Sequence, residues 1–86
     1  MSGIRIGQIT HFFDRINVAV LVLTETIRMG DTIHFLGHSS DFTQEVKSLQ
    51  IEHQPVEEAG AGQEVSIKFD RPVRPGTSVF KITEEG

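Results

Sequence analysis

His34 and His38 stand four residues apart, and His38-Ser39-Ser40-Asp41 places a histidine, two serines and an aspartate in one short stretch. The first spacing puts two metal ligands on one face of a helix. Here, however, the residues fall on a strand and just past Gly37, with no third ligand near in the chain, so solvent-facing polar positions are expected instead. The second stretch contains every residue type of a hydrolytic triad. A triad needs its members to converge from separate segments, and neighbours on one loop cannot stack in relay order; a polar turn is expected there. Glu57 and Glu58 project to opposite sides of an extended chain, which is poor geometry for shared acid and base work. Gly60 and Gly62 do not open a helical pattern, and no GxxxxGK[ST] loop is present, so no nucleotide cradle is indicated. The chain has no cysteine, which excludes a thiolate nucleophile, a thiolate metal site and a disulfide framework. The expectation is a chain that is not an enzyme and takes no cofactor, metal or nucleotide.

The remaining chemistry is electrostatic. The formal net charge is −4, which argues against non-specific attachment to nucleic acid, since that depends on many Lys and Arg contacts to phosphate. Charge is nonetheless uneven. Glu52, Glu57, Glu58 and Glu64 precede a basic C-terminal third containing Lys68, Arg71, Arg74 and Lys81. Lys47, Lys68, Arg71 and Arg74 are the candidate binding residues, weighed against an ordinary solvated surface of mixed charge.

These residues must be positioned by strands. Apolar residues recur at period two and β-branched types dominate them, so the pattern predicts an all-β chain with almost no helix. Glu64 to Asp70 alternates throughout, placing Val65, Ile67 and Phe69 in the core and Ser66 and Lys68 toward water. From Ile16 to Leu23 both faces are apolar: Val18, Val20 and Val22 on one, Ala19, Leu21 and Leu23 on the other. That strand is expected to be covered on its outer side too, and to be a place where something docks. Gly30-Asp31 marks a turn before Thr32 to Leu36, whose inward residues are Ile33 and Phe35, and Gly37 ends that strand. In the run from Phe42 to His53 the apolar parity changes between Val46 and Leu49, which predicts a β-bulge near Lys47-Ser48. Gly60-Ala61-Gly62 and Pro75-Gly76 supply further turns, Ser78 to Thr83 is the last strand, and residues 83–86 are expected to fray. Six substantial strands on short turns, in 86 residues, predict one domain: a small closed antiparallel β-barrel of six or seven strands, whose closure would remove both sheet edges. An open sandwich is the second architecture the pattern permits.

Three stretches carry a family resemblance: Ile6-Gly7-Gln8-Ile9-Thr10 with Val18-Ala19-Val20; Met29-Gly30-Asp31-Thr32-Ile33-His34 with Gly37; and Ala59-Gly60-Ala61-Gly62-Gln63-Glu64-Val65. In order and spacing they resemble the second-domain barrel of translation GTPases such as elongation factor Tu and initiation factor 2, and most of all short free-standing elongation-factor-like proteins. The resemblance implies a barrel that contacts tRNA or the ribosome. It also aligns the strand Glu45 to Ile51 with one that lends an acidic side chain to the pocket for the terminal adenosine, a position held here by Lys47.

Three kinds of function follow as expectations. The first is a non-catalytic module touching tRNA, the ribosome or a translation-related protein through Lys47, Lys68, Arg71 and Arg74. The second is a protein-interaction or self-association module using Val18 to Leu23, and the third an enzyme with an unrecognised site. Ser2 and Gly3 lead straight into Ile4-Arg5-Ile6 without a basic start and long apolar stretch. The longest apolar run, Val18 to Leu23, is too short to span a bilayer, so the expected location is the cytoplasm.

Overall fold

Alternating apolar and polar side chains give ten strands and no helix among the residues that the computed structural model describes, 2–37 and 41–83. They are β1 (Ser2–Phe13), β2 (Val18–Leu23), β3 (Ile27–Arg28), β4 (Thr32–Leu36), β5 (Asp41–Glu45), β6 (Leu49–Ile51), β7 (Gln54–Pro55), β8 (Glu58–Ala59), β9 (Glu64–Lys68) and β10 (Ser78–Thr83). Eight form one antiparallel sheet in the order β5-β4-β10-β1-β2-β9-β6-β7, and β3 with β8 forms a separate two-stranded ladder.

β1 organises the sheet because it serves two partners. Residues 2–8 pair with β10 and residues 7–13 with β2. One register shift falls between Arg5 and Gly7 and a second between Ile9 and His11; extra residues of this kind bend a strand and increase its twist. At the first, Gly7 is required by space: a Cβ there would lie 2.6 Å from the backbone oxygen of Val22. At the second, the hydroxyl of Thr10 donates to the carbonyl of Val20 at 3.0 Å. The two shifts let inward residues of every strand except β5 and β7 meet in one buried cluster, against which Phe42 of β5 packs. Ile6 and Ile9 of β1, Leu21 and Leu23 of β2, Ile33 and Phe35 of β4, Val65 and Ile67 of β9 and Val79 of β10 are all buried in it. Phe35 packs edge-on against Phe69 with ring centroids 4.4 Å apart and is tilted over Phe42 at 4.9 Å. Burial of each such side chain contributes about 1.5–3 kcal/mol.

The ladder does not close. β5 and β7 are the two ends of the sheet, and among the described residues no backbone pairing joins one end to the other, so the expected closed barrel is corrected to an antiparallel sheet with two edges. The physical reason lies in residues 46–48. The expected bulge near Lys47-Ser48 is instead a break, across which the chain leaves one sheet end at β5 and re-enters near the other at β6. Val46 is buried within the break, its N–H donating to the carbonyl of Asp31 at 2.8 Å and its own carbonyl accepting from Gly30 at 2.9 Å. Both edges are blunted. β7 ends in Pro55, which has no N–H to offer. Beside β5, the side-chain amide of Gln44 clasps the chain after β9: its Nε2 donates to the carbonyl of Lys68 and its Oε1 accepts from the N–H of Asp70, each at 3.0 Å. An amide side chain thus makes, at one point, the two bonds that a strand pair would make.

Most inward faces follow the sequence pattern. Val65, Ile67, Phe69, Ile33 and Phe35 are buried, and Lys68 is exposed. β2 buries Ala19, Leu21 and Leu23, whereas on its outer face Val18 and Val20 are half-buried and Val22 is exposed. Thr83, expected to fray, pairs with Ser2 in the β1–β10 ladder; residues 84–86 lie outside the described residues. No helix among the described residues is long and apolar enough to cross a membrane.

Candidate functional site: a cleft under the β6–β7 hairpin

The outer face of the sheet carries three cross-strand rows through β1, β2 and β9: Phe13, Val18 and Lys68; His11, Val20 and Ser66; Gln8, Val22 and Glu64. The register shift after Ile9 creates the middle row, because it turns His11 outward where strict alternation would have turned it in. β6 extends that row, Gln50 pairing with Ser66.

The β6–β7 hairpin overhangs this face. Ile51 pairs with Gln54, so Glu52 and His53 form a two-residue loop. Their φ angles are 50° and 65°, the pair of positive values that a type I′ turn demands and that Asn-Gly normally supplies. Each non-glycine residue held there costs on the order of 1–2 kcal/mol, and such strain gathers where a side chain is needed in place. Between the loop and the sheet lies a cleft of about 550 Å³, whose apolar walls are Phe13, Val20 and Ile51 and whose polar rim includes His11, Glu52, His53, Gln63, Glu64 and Ser66. No lysine or arginine lines it. Neither Glu52 nor Glu64 has an ion-pair partner among the described residues.

A second hollow, about 990 Å³ and more open, is lined by Arg28, Met29, Pro55, Val56, Glu57 and Glu58. Two of its charges are turned on each other, Arg28 Nε lying 2.6 Å from Glu58 Oε2, while Glu57 has no ion-pair partner among the described residues. The smaller cleft is less open and has two uncommitted carboxylates, no lysine or arginine and apolar walls on both the sheet and the hairpin, which makes it the better recognition site.

The four cations singled out by sequence are all exposed. Lys68 ends β9 and Arg71 follows it, its guanidinium 5.4 Å from the centroid of the Phe42 ring. Lys47 sits in the break between β5 and β6, and Arg74 lies before the Pro75-Gly76 turn, its carbonyl accepting from Thr77. Lys68 and Arg71 therefore flank the Gln44 clasp, while no described contact draws Lys47 or Arg74 to them. Among the chemical candidates, His34 Nε2 meets Asp41 Oδ1 at 2.6 Å. His38, Ser39 and Ser40 lie outside the described residues. Among the described residues, no group of three or more His, Cys, Asp or Glu side chains is placed to hold a metal ion. Sequence reasoning did not single out His11, Phe13, Ile51, Glu52 or His53 as site residues, although Glu52 was noted among the acidic residues. The hairpin carries no glycine or asparagine to announce its turn, and the outward set of β1 depends on a bulge without a sequence mark.

No protein-family model matches the chain. Over 82 residues, 94% of its length, the chain is 37% identical to a protein of Methanocaldococcus jannaschii named as an uncharacterized protease, and spans 20% of that protein. Among solved structures, the fold matches the C-terminal domain of a putative U32 peptidase from Geobacillus thermoleovorans with a TM-score of 0.84 at 23% identity, over 91% of each chain. The selenomethionine form of that domain matches with a TM-score of 0.83 at 23% identity, over 88% of this chain and 96% of that one. The chain therefore has the fold of a U32 peptidase C-terminal domain.

These findings overturn the resemblance to the second domain of translation GTPases, and with it the translation-factor function inferred from it. The motifs that carried the resemblance have local causes. Gly7 is set by the Val22 carbonyl, and Gly62, at φ 88°, turns the chain so that its N–H donates to Leu23. A bulge glycine and turn glycines between alternating strands mark a way of building sheets, and unrelated functions share it.

Proposed function

We propose that this chain is a non-catalytic accessory domain of the type found at the C-terminus of U32 peptidases, and that it holds a polypeptide segment in the cleft under the β6–β7 hairpin. The observation that carries this reading is the match of 94% of the chain to one fifth of a protein named as a protease: a module that occupies so small a share of such a protein leaves most of its length to other parts. The likeness in fold to a C-terminal domain of a putative U32 peptidase supports the same assignment. The cleft supports the polypeptide. Apolar walls at Phe13, Val20 and Ile51 suit aliphatic side chains, and the polar rim can hydrogen-bond an extended backbone. In a peptidase, such a contact would raise the local concentration of substrate near the bond-breaking centre.

The test is retention without cleavage. A reduced, alkylated protein that cannot fold, passed over the immobilised domain, is expected to be retarded and recovered intact. Elution at the void volume, or recovery as fragments, refutes the reading.

A further inference from the structure

We propose that the cleft selects basic polypeptide segments in which lysine or arginine alternates with aliphatic residues; this rests on the polypeptide-holding reading above and specifies its ligand. The apolar wall and the charged rim face the same space. Phe13 and Val20 stand on the sheet, Ile51 on the hairpin, and Glu52 and Glu64 flank them from the hairpin tip and from β9. Phe13 is 53% exposed, a large ring left in water at the mouth of the cleft. The two carboxylates have no partner among the described residues, so a cation entering the cleft breaks no existing pair. No lysine or arginine lines the cleft to repel it, and the protein as a whole carries a net charge of −4, which adds a weak attraction at long range. An extended segment turns successive side chains to opposite sides. Its aliphatic residues would then meet the apolar wall while its ammonium or guanidinium groups reach the rim. An acidic segment would bring like charges together at Glu52 and Glu64, and a uniformly apolar one would leave both carboxylates unmatched.

Three short peptides, alternating valine with lysine, with serine and with glutamate, distinguish the possibilities when titrated calorimetrically into the intact domain. The expected order of affinity is lysine, serine, glutamate, with the lysine peptide weakening as salt rises. Glu52→Gln and Glu64→Gln should each weaken the lysine peptide about two- to fivefold, the range of a surface charge pair, and leave the serine peptide unchanged. Glu58→Gln, which removes the same charge from the other hollow, should not affect it. Serine and lysine peptides of equal affinity, or cleft variants no different from Glu58→Gln, overturn the basic preference while the polypeptide-holding reading stands. If none of the three peptides binds, that reading falls together with the inference.

Discussion

Replacing Gln44 tests how an unclosed sheet is held in its curl. The side chain makes two bonds across the seam, to the Lys68 carbonyl and from the Asp70 N–H, each 3.0 Å long. A net contribution of about 0.5–1.5 kcal/mol per hydrogen bond gives an upper range of about 1–3 kcal/mol for Gln44→Ala. Both backbone groups lie in an exposed setting, so water will re-satisfy them, and a loss of about 1–2 kcal/mol is expected. For a domain of this length each kcal/mol moves the melting midpoint by about 4–8 °C. Gln44→Glu separates the two bonds, since a carboxylate still accepts from Asp70 but cannot donate to Lys68. Urea denaturation gives the global loss, and hydrogen exchange at the Asp70 amide reports the clasp itself: its protection should fall about tenfold in the alanine variant, equivalent to about 1.4 kcal/mol, and fall less in the glutamate variant. Stability within about 0.5 kcal/mol of the parent, the ordinary range for an uninvolved surface position, together with unchanged protection at Asp70, would refute the clasp.

Further substitutions address the core, the bulge and the hairpin. Phe69→Ala removes a buried ring 4.4 Å from Phe35 and should cost about 3–5 kcal/mol in urea denaturation. Gly7→Ala should cost about 1–3 kcal/mol by the same measure, because the atom it meets, the Val22 carbonyl oxygen at 2.6 Å, belongs to a paired strand and cannot step aside cheaply. Converting Glu52 and His53 to Asn and Gly gives the type I′ turn its favoured residues; the thermal midpoint should rise, by about 1 kcal/mol of stability, while affinity for the lysine peptide drops. Glu58→Gln breaks an ion pair whose side chains are 69% and 53% exposed, and its denaturation curve should overlay the parent's within about 0.5 kcal/mol.

Period-two alternation sufficed to place the inward faces of β4 and β9, since Ile33, Phe35, Val65 and Ile67 are set by pleat and hydrophobicity alone. The turns at Gly30-Asp31, Gly60-Ala61-Gly62 and Pro75-Gly76 were legible for a similarly local reason. Closure was not. Whether the ends of a sheet pair depends on where the chain goes after Glu45, and the parity change between Val46 and Leu49 has the same appearance whether a bulge or a break produces it. The candidate site was hidden for a related reason. The outward set of β1 is fixed by the extra residue at Thr10, and the cleft exists only because a hairpin with no turn signature at Glu52-His53 folds over that face. Cations catch the eye in an acidic sequence, so Lys47, Lys68, Arg71 and Arg74 drew notice, whereas the uncommitted carboxylates at the cleft looked like ordinary surface.

The most direct test of the cleft as a polypeptide-holding site is residue-by-residue mapping of backbone amide chemical shifts as an unfolded polypeptide is titrated into the domain. Perturbations should concentrate at residues 11–13, 20, 51–53 and 63–66, which the fold brings together from β1, β2, the β6–β7 hairpin and the start of β9. A silent titration would contradict the proposed function, as would shifts centred around Lys47, Arg71 and the Gln44 clasp.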